Sequence, residues 1–188
     1  MNALLKTTPL APNRTLELAR GDITLETTDA IVNAANEHLQ HGGGVAGVIA
    51  RRAGPKLEAE SEAWVRTYGS VRHDAPAWTS GGNLPAKYVI HAVGPVWGTG
   101  DEDAKLAAAV TGSLRVADEL RLKSIALPAI STGIFGFPKE RAAGVIFDAI
   151  CKYFENPSGL ELVRVVLYDD PTAAAFEKAW HDLFSPKP

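Results

Sequence analysis

Ile31-Val-Asn-Ala-Ala-Asn-Glu-His-Leu-Gln-His-Gly-Gly-Gly-Val-Ala-Gly47 is the stretch that decides how this chain folds. It starts as a short β-branched run, crosses two asparagines and ends in three glycines, from which an apolar helical pattern departs at Val45, Val48 and Ile49. A strand, a polar loop and a helix start therefore follow one another. Glycines in series leave no Cβ to hold a ligand off the backbone, and a helix N-terminus turns unpaired N–H groups and positive dipole outward. Phosphate is the natural guest of such a loop. The logic recurs downstream, where Ser124-Ile-Ala-Leu-Pro-Ala-Ile130 reads as a buried strand, followed by Ser131-Thr-Gly-Ile-Phe-Gly-Phe-Pro138 and a helix from Pro138. Two anion-friendly loops at strand C-termini point to one diphosphate held between them.

Outward from these loops the chain alternates strands and helices. Strands are expected at Thr15 to Arg20, Ala30 to Asn33, Ala75 to Thr79, Tyr88 to Val93 and Leu162 to Tyr168. The helix from Val45 stops at Gly54-Pro55, and a second runs from about Lys56 to Tyr68. Asp101-Glu-Asp103 opens another that lasts to about Leu120; Ala142, Val145, Ile146, Ala149, Ile150, Tyr153 and Phe154 mark the helix after Pro138, and Pro171 to Phe184 closes the chain as a helix. This order gives an α/β sandwich with a largely parallel sheet covered on both faces, and ligands of such sheets sit outside the strand C-termini. Residues 1–14, with Pro9 and Pro12, are expected to form a loose arm, 15–184 one domain, and 185–188 a frayed tail.

Composition narrows the function classes. At 188 residues, 46% hydrophobic and 22% charged, the chain suits one soluble globular domain, and its net charge of -3 gives no support for a broad nucleic-acid footprint. Arg51, Arg52 and Lys56 are read as a solvated helix face. The lone Cys151 lies in an apolar helical stretch, where a buried core thiol is expected, and it allows no disulfide within the chain. No segment is long and apolar enough to span a bilayer, and a cytoplasmic monomer is expected.

Five motifs in register, Gly21-Asp-Ile-Thr24, Asn33-Ala-Ala-Asn36, Gly42 to Gly44, Ile90-His-Ala-Val-Gly-Pro95 and Ser131-Thr-Gly-Ile-Phe-Gly136, resemble the macrodomain family, which binds ADP-ribose. The resemblance runs from about Thr15 to Phe184 and implies a three-layer α/β/α sandwich around a mixed, largely parallel sheet. It also implies roles: Asp22 accepting from the adenine amine with the Ile23 backbone beside it, Asn33 among the substrate-binding residues, Asn36 reaching the distal ribose, and Gly43, Gly44 and Val45 presenting N–H groups to the diphosphate and distal ribose. Ser131, Thr132, Gly133, Ile134 and Phe135 would wrap the other side, Phe135 over the distal sugar, and Tyr168 with Asp169 would flank the adenine. Neither cofactor nor metal is implied. On the residues alone, Asn33 satisfies backbone groups, Tyr168 packs in the core and His91 is structural.

Other chemistries fit less well. Gly42-Gly-Gly-Val-Ala-Gly47 satisfies G-x-G-x-x-G, but Asn36 to His41 separate it from the strand end. Ala129-Ile-Ser131-Thr-Gly133 lacks the first glycine of a nucleophile elbow, and His38 and His41 have no third metal ligand nearby. Within the family, one branch places an aspartate just after the Gly-Gly-Gly-Val run as base; here Ala46 stands there, closer to the archaeal-type branch. The resemblance then leaves a hydrolase of mono-ADP-ribose esters, on ADP-ribosylated glutamate or aspartate or O-acetyl-ADP-ribose, with Asn36, Gly44 and Phe135 at the reacting end. A reader that holds ADP-ribose without chemistry is the second expectation, and ADP-ribosylated nucleic acid a third class of partner.

Overall fold

The computed structural model describes residues 2–185. Its elements are β1 (Ala3–Ala11), β2 (Arg14–Arg20), β3 (Ala30–Ala35), α1 (Gly44–Ala53), α2 (Pro55–Tyr68), β4 (Ala77–Ser80), β5 (Tyr88–Val93), α3 (Glu102–Glu119), β6 (Ser124–Leu127), α4 (Lys139–Tyr153), β7 (Leu162–Leu167) and α5 (Asp170–Phe184). The seven strands form one sheet in the order β1-β2-β7-β6-β3-β5-β4. The five inner strands run parallel, and β1 and β4 add antiparallel edges.

Alternation within the strands sets the layers. Ala30, Val32, Ile90, Ile125, Val163 and Val165 pack with the apolar faces of α3, α4 and α5, whereas Ile31, Val89, Ala126 and Val166 pack under Ile49, Ala50 and Ala53 of α1 and Leu57 of α2. Successive side chains point to opposite sides, so each inner strand must be apolar on both. The result is the expected three-layer sandwich. Phe147 anchors the thicker layer, with the Phe176, Trp180 and Phe184 rings 5.6, 5.6 and 5.9 Å away.

The loose arm is corrected. Ala3–Ala11 pairs antiparallel with β2, and Leu5 and Leu10 pack against the main core. Pro9 is tolerated because an edge strand needs only one of its two sides bonded. Of the expected tail, Ser185 donates its N–H to the His181 carbonyl, and 186–188 lie outside the described residues. β6 stops at Leu127 rather than Ile130, since Pro128 has no N–H to continue the ladder. Cys151 is half-buried rather than buried, and burial pushes its thiol up.

Candidate functional site

The carboxyl ends of β2, β7, β6 and β3 open into a cleft of about 810 Å³. One end is built by the turn after β2, the segment after β7 and the side of α1. Asp22 caps the single 3₁₀ turn Ile23–Leu25: its Oδ1 accepts from the Thr24 N–H at 2.9 Å and the Thr24 hydroxyl at 2.6 Å. Its Oδ2 stands 3.1 Å from Arg52 Nη2. A carboxylate has about four acceptor positions, so Oδ2 keeps one for a ligand donor. Ile23 is 5% exposed and sends its side chain into the core. Tyr168 lies at the cleft, 78% exposed, which rules out the core-packing reading. Asp169 beside it caps α5 through the Thr172 N–H and hydroxyl. The N–H bond, opposed by burial and aided by Lys139, holds its carboxyl below the usual range.

The other end is backbone. Helix α1 begins at Gly44 with Gly43 as its cap, no capping side chain and no acidic residue in its first turn, so its positive end faces the cleft uncompensated. Gly44 has φ +56°, which suits glycine. Across from it, the Ser131–Phe135 loop is held by Phe137 N–H to the Ser131 carbonyl at 3.0 Å, Gly136 N–H to Gly133 at 3.0 Å and Trp97 N–H to Phe135 at 2.8 Å. The N–H groups of Gly133, Ile134 and Phe135 have no protein acceptor among the described residues. Thr132 turns its hydroxyl inward to the Ala129 carbonyl. Ile134, 83% exposed, reaches over the glycine run: its Cδ1 is 3.8 and 3.7 Å from where a Cβ on Gly43 or Gly44 would stand. Ser131 sits at φ +68° with its Oγ buried and without a partner among the described residues, and a Cβ on Gly94 would come within 2.1 Å of that oxygen.

The two asparagines divide. Asn36 lines the cleft, but its Oδ1 accepts from the His38 and Gln40 N–H groups at 3.1 and 3.0 Å, and its Nδ2 donates to the Gln40 carbonyl at 2.8 Å. It therefore offers a ligand one N–H and no acceptor. Asn33 is corrected: it is fully buried, away from the cleft lining. β3 runs two residues beyond Asn33, so Asn33 is inside the strand, on the face under α1 and α2. There its Nδ2 is 3.1 Å from His91 Nδ1 and 3.3 Å from His41 Nδ1, with Thr79 and Ser61 closing the cluster at 3.0 and 2.9 Å. Burial, then the neighbouring His41, lowers the His91 pKa to about 3, so His91 is neutral and structural as expected.

Arg52, assigned from sequence to a solvated face, lines the cleft instead. Its spacing from Val45 and Val48, both in the lining, is the helical signal that locates it. The carboxylates of the lining, Asp22 and Asp169, both lie at the β2 and β7 end, and the lining holds neither histidine nor cysteine. Ala46 brings no charge to the α1 end. A smaller depression of about 490 Å³, between the start of α2 and Ser80 to Lys87, is remote from both loops.

Residues 32–146 match the family described as Macro domain. An uncharacterised Thermotoga maritima protein is 50% identical over 167 residues, 87% of this chain but 28% of that longer relative. A Pantoea vagans protein named O-acetyl-ADP-ribose deacetylase 1 is 44% identical, covering 82% of this chain and 91% of its own. The Oceanobacillus iheyensis macrodomain solved with ADP is 34% identical with a TM-score of 0.90, covering 97% of each chain. A mutant of the same macrodomain is solved with ADPR.

Proposed function

The chain belongs to the Macro domain family, and on that premise we propose that it binds ADP-ribose in the cleft and hydrolyses mono-ADP-ribose esters. The adenine goes to Asp22, where the free Oδ2 position accepts its amine, with the Ile23 backbone, Tyr168 and Asp169 around the ring. The diphosphate lies between the N–H groups of Gly43, Gly44 and Val45 and those of the Ser131–Phe135 loop, with Phe135 against the distal ribose. The substrates are ADP-ribosyl glutamate or aspartate on a protein, or O-acetyl-ADP-ribose; a terminal ADP-ribose on nucleic acid enters by the same route.

The observation that carries the mechanism is the lack of any titratable side chain of the lining beside the Gly43–Val45 start of α1. Water attacking near the distal ribose C1 is then oriented by an oxygen of the substrate's own diphosphate. The C1–O ester bond breaks, the carboxylate leaves without needing an acid, and the proton of the attacking water passes through the diphosphate to solvent. Asn36, through its one remaining N–H, fixes a ribose hydroxyl, while the Gly44 amide and Phe135 hold the reacting end. The named activity of the Pantoea vagans relative supports this reading.

The alternative is a reader, which the same lack of a side-chain base favours. Incubation with glutamate-linked mono-ADP-ribosyl protein separates them: release of ADP-ribose is expected, and no release at stoichiometric protein would leave the reader. Asn36→Ala is expected to slow turnover about tenfold or more while binding falls less, measured as kcat and Kd. Equal turnover would remove Asn36 from the mechanism.

A further inference from the structure

The Asp22 end of the cleft is fixed from outside by a residue that is not itself part of the lining. Asn2 precedes β1, and its side-chain amide lies flat against the backbone of Asp22. Oδ1 accepts from the Asp22 N–H at 2.8 Å, and Nδ2 donates to the Asp22 carbonyl at 2.9 Å. This is the pairing one strand gives another, made by a side chain. The second hydrogen of Nδ2 goes to Glu26 Oε1 at 2.5 Å. Glu26 is itself buried and held from its other oxygen by Arg164 Nη1 at 2.7 Å, while Arg164 also binds Glu17. All the hydrogen-bonding capacity of the Asn2 amide that this geometry can reach is therefore directed, and its direction is set by a buried ion pair. Gly21 leaves the space: a Cβ there would stand 2.0 Å from Asn2 Oδ1, and φ is +154°. From the opposite side the Gly21 N–H donates to the Leu167 carbonyl of β7 at 2.8 Å.

We propose that Asn2 is a positioning residue for nucleobase selection, acting on the ligand through Asp22. The inference rests on the ADP-ribose reading and deepens it. Asp22 has a single acceptor position left, so the angle at which that position meets the ligand depends on the backbone from which the carboxylate hangs. That backbone is clamped by Leu167 on one flank and by Asn2 on the other. Released from Asn2, Asp22 keeps its bonds to Thr24 and Arg52 and can swing with them as a unit. The acceptor then loses its fixed aim at an exocyclic amine, and with it the penalty it imposes on a base that carries a carbonyl at the same place. The diphosphate contacts, made by α1 and the Ser131–Phe135 loop, stay as they are.

Titration calorimetry on the full chain tests this with two probes, ADP-ribose and its hypoxanthine analogue, on wild type, Asn2→Ala and Asn2→Asp. Wild type is expected to prefer ADP-ribose. In Asn2→Ala the affinity for ADP-ribose falls about five- to twentyfold, that for the hypoxanthine analogue much less, and the ratio between the two collapses. Asn2→Asp still accepts from the Asp22 N–H but cannot donate to its carbonyl and faces Glu26, so it is expected to be at least as weak. An equal loss for both ligands would make Asn2 a structural residue only, and an unchanged ratio in either variant overturns the proposal. Absence of heat for wild type with ADP-ribose would instead bring down the binding reading, and this inference with it.

Discussion

Asn33 and Asn36 differ in role because a strand ends between them. Asn33, His91, Thr79, His41 and Ser61 tie β3, β5, β4 and α2 together through neutral hydrogen bonds, and the Asn33 Oδ1 is buried without a partner among the described residues. Such a cluster binds the fold to its protonation state. The His91 pKa is lowered to about 3 against an ordinary 6.5, and burial lowers His41 in the same direction despite Glu58. Between those values the unfolded chain holds a proton that the native chain lacks, so stability rises with pH through this window and is lost as pH falls from about 6.5 toward 3. Denaturant midpoints across that range are expected to fall more steeply for wild type than for His91→Asn, which keeps a polar side chain but does not titrate. Parallel slopes would show that His91 does not carry the dependence. That Asn33 belongs to this cluster was not legible, because Ala34-Ala35 gives no sign of whether the strand stops or continues. The Gly42 to Gly44 run was legible, since glycine acts through its own missing Cβ.

Helix α1 supplies two separate things to the cleft, an uncapped N-terminus and Arg52, which pairs with Asp22. The first depends on Gly44. Gly44→Ala puts a side chain at φ +56°, a strain of about 1 kcal/mol, and projects a methyl toward Ile134 where a diphosphate would lie. Gly69 ends α2 at φ +80° with nothing within 4 Å of a Cβ, so Gly69→Ala bears similar strain far from the cleft. Both variants are expected to lower the melting temperature by a few degrees, and only Gly44→Ala to weaken ADP binding, by about tenfold or more. Equal ADP affinities would remove the α1 N-terminus from the site. β1 shows the opposite limit of sequence reading: Pro9 within it, Pro12 just after it and its polar residues look like an arm, and only pairing with β2 makes it a strand.

At the scale of the whole molecule, the parallel strands gather their carboxyl ends on one side, and both glycine loops fall there as their order in the chain requires. The lack of histidine and cysteine in the lining gives the proposed reaction a signature. If the diphosphate orients the water, kcat/KM for a glutamate-linked substrate is expected to vary less than about twofold between pH 6 and 8. A limb with an apparent pKa near 6.5 would assign the step to a histidine and overturn substrate assistance. The layers and loops were readable because they follow local periodicity; the strand order and the link from Asn2 to Asp22 were not, because they exist only once the strands have paired and β1 has folded back along β2. Since Asn2 lies against Asp22 while α5 leads about 22 Å from Asp170 to Phe184, an affinity handle fused ahead of Asn2 would crowd the Asp22 end of the cleft. One fused after the last helix would leave the cleft free, so immobilised preparations of this protein are best tethered by their carboxyl terminus.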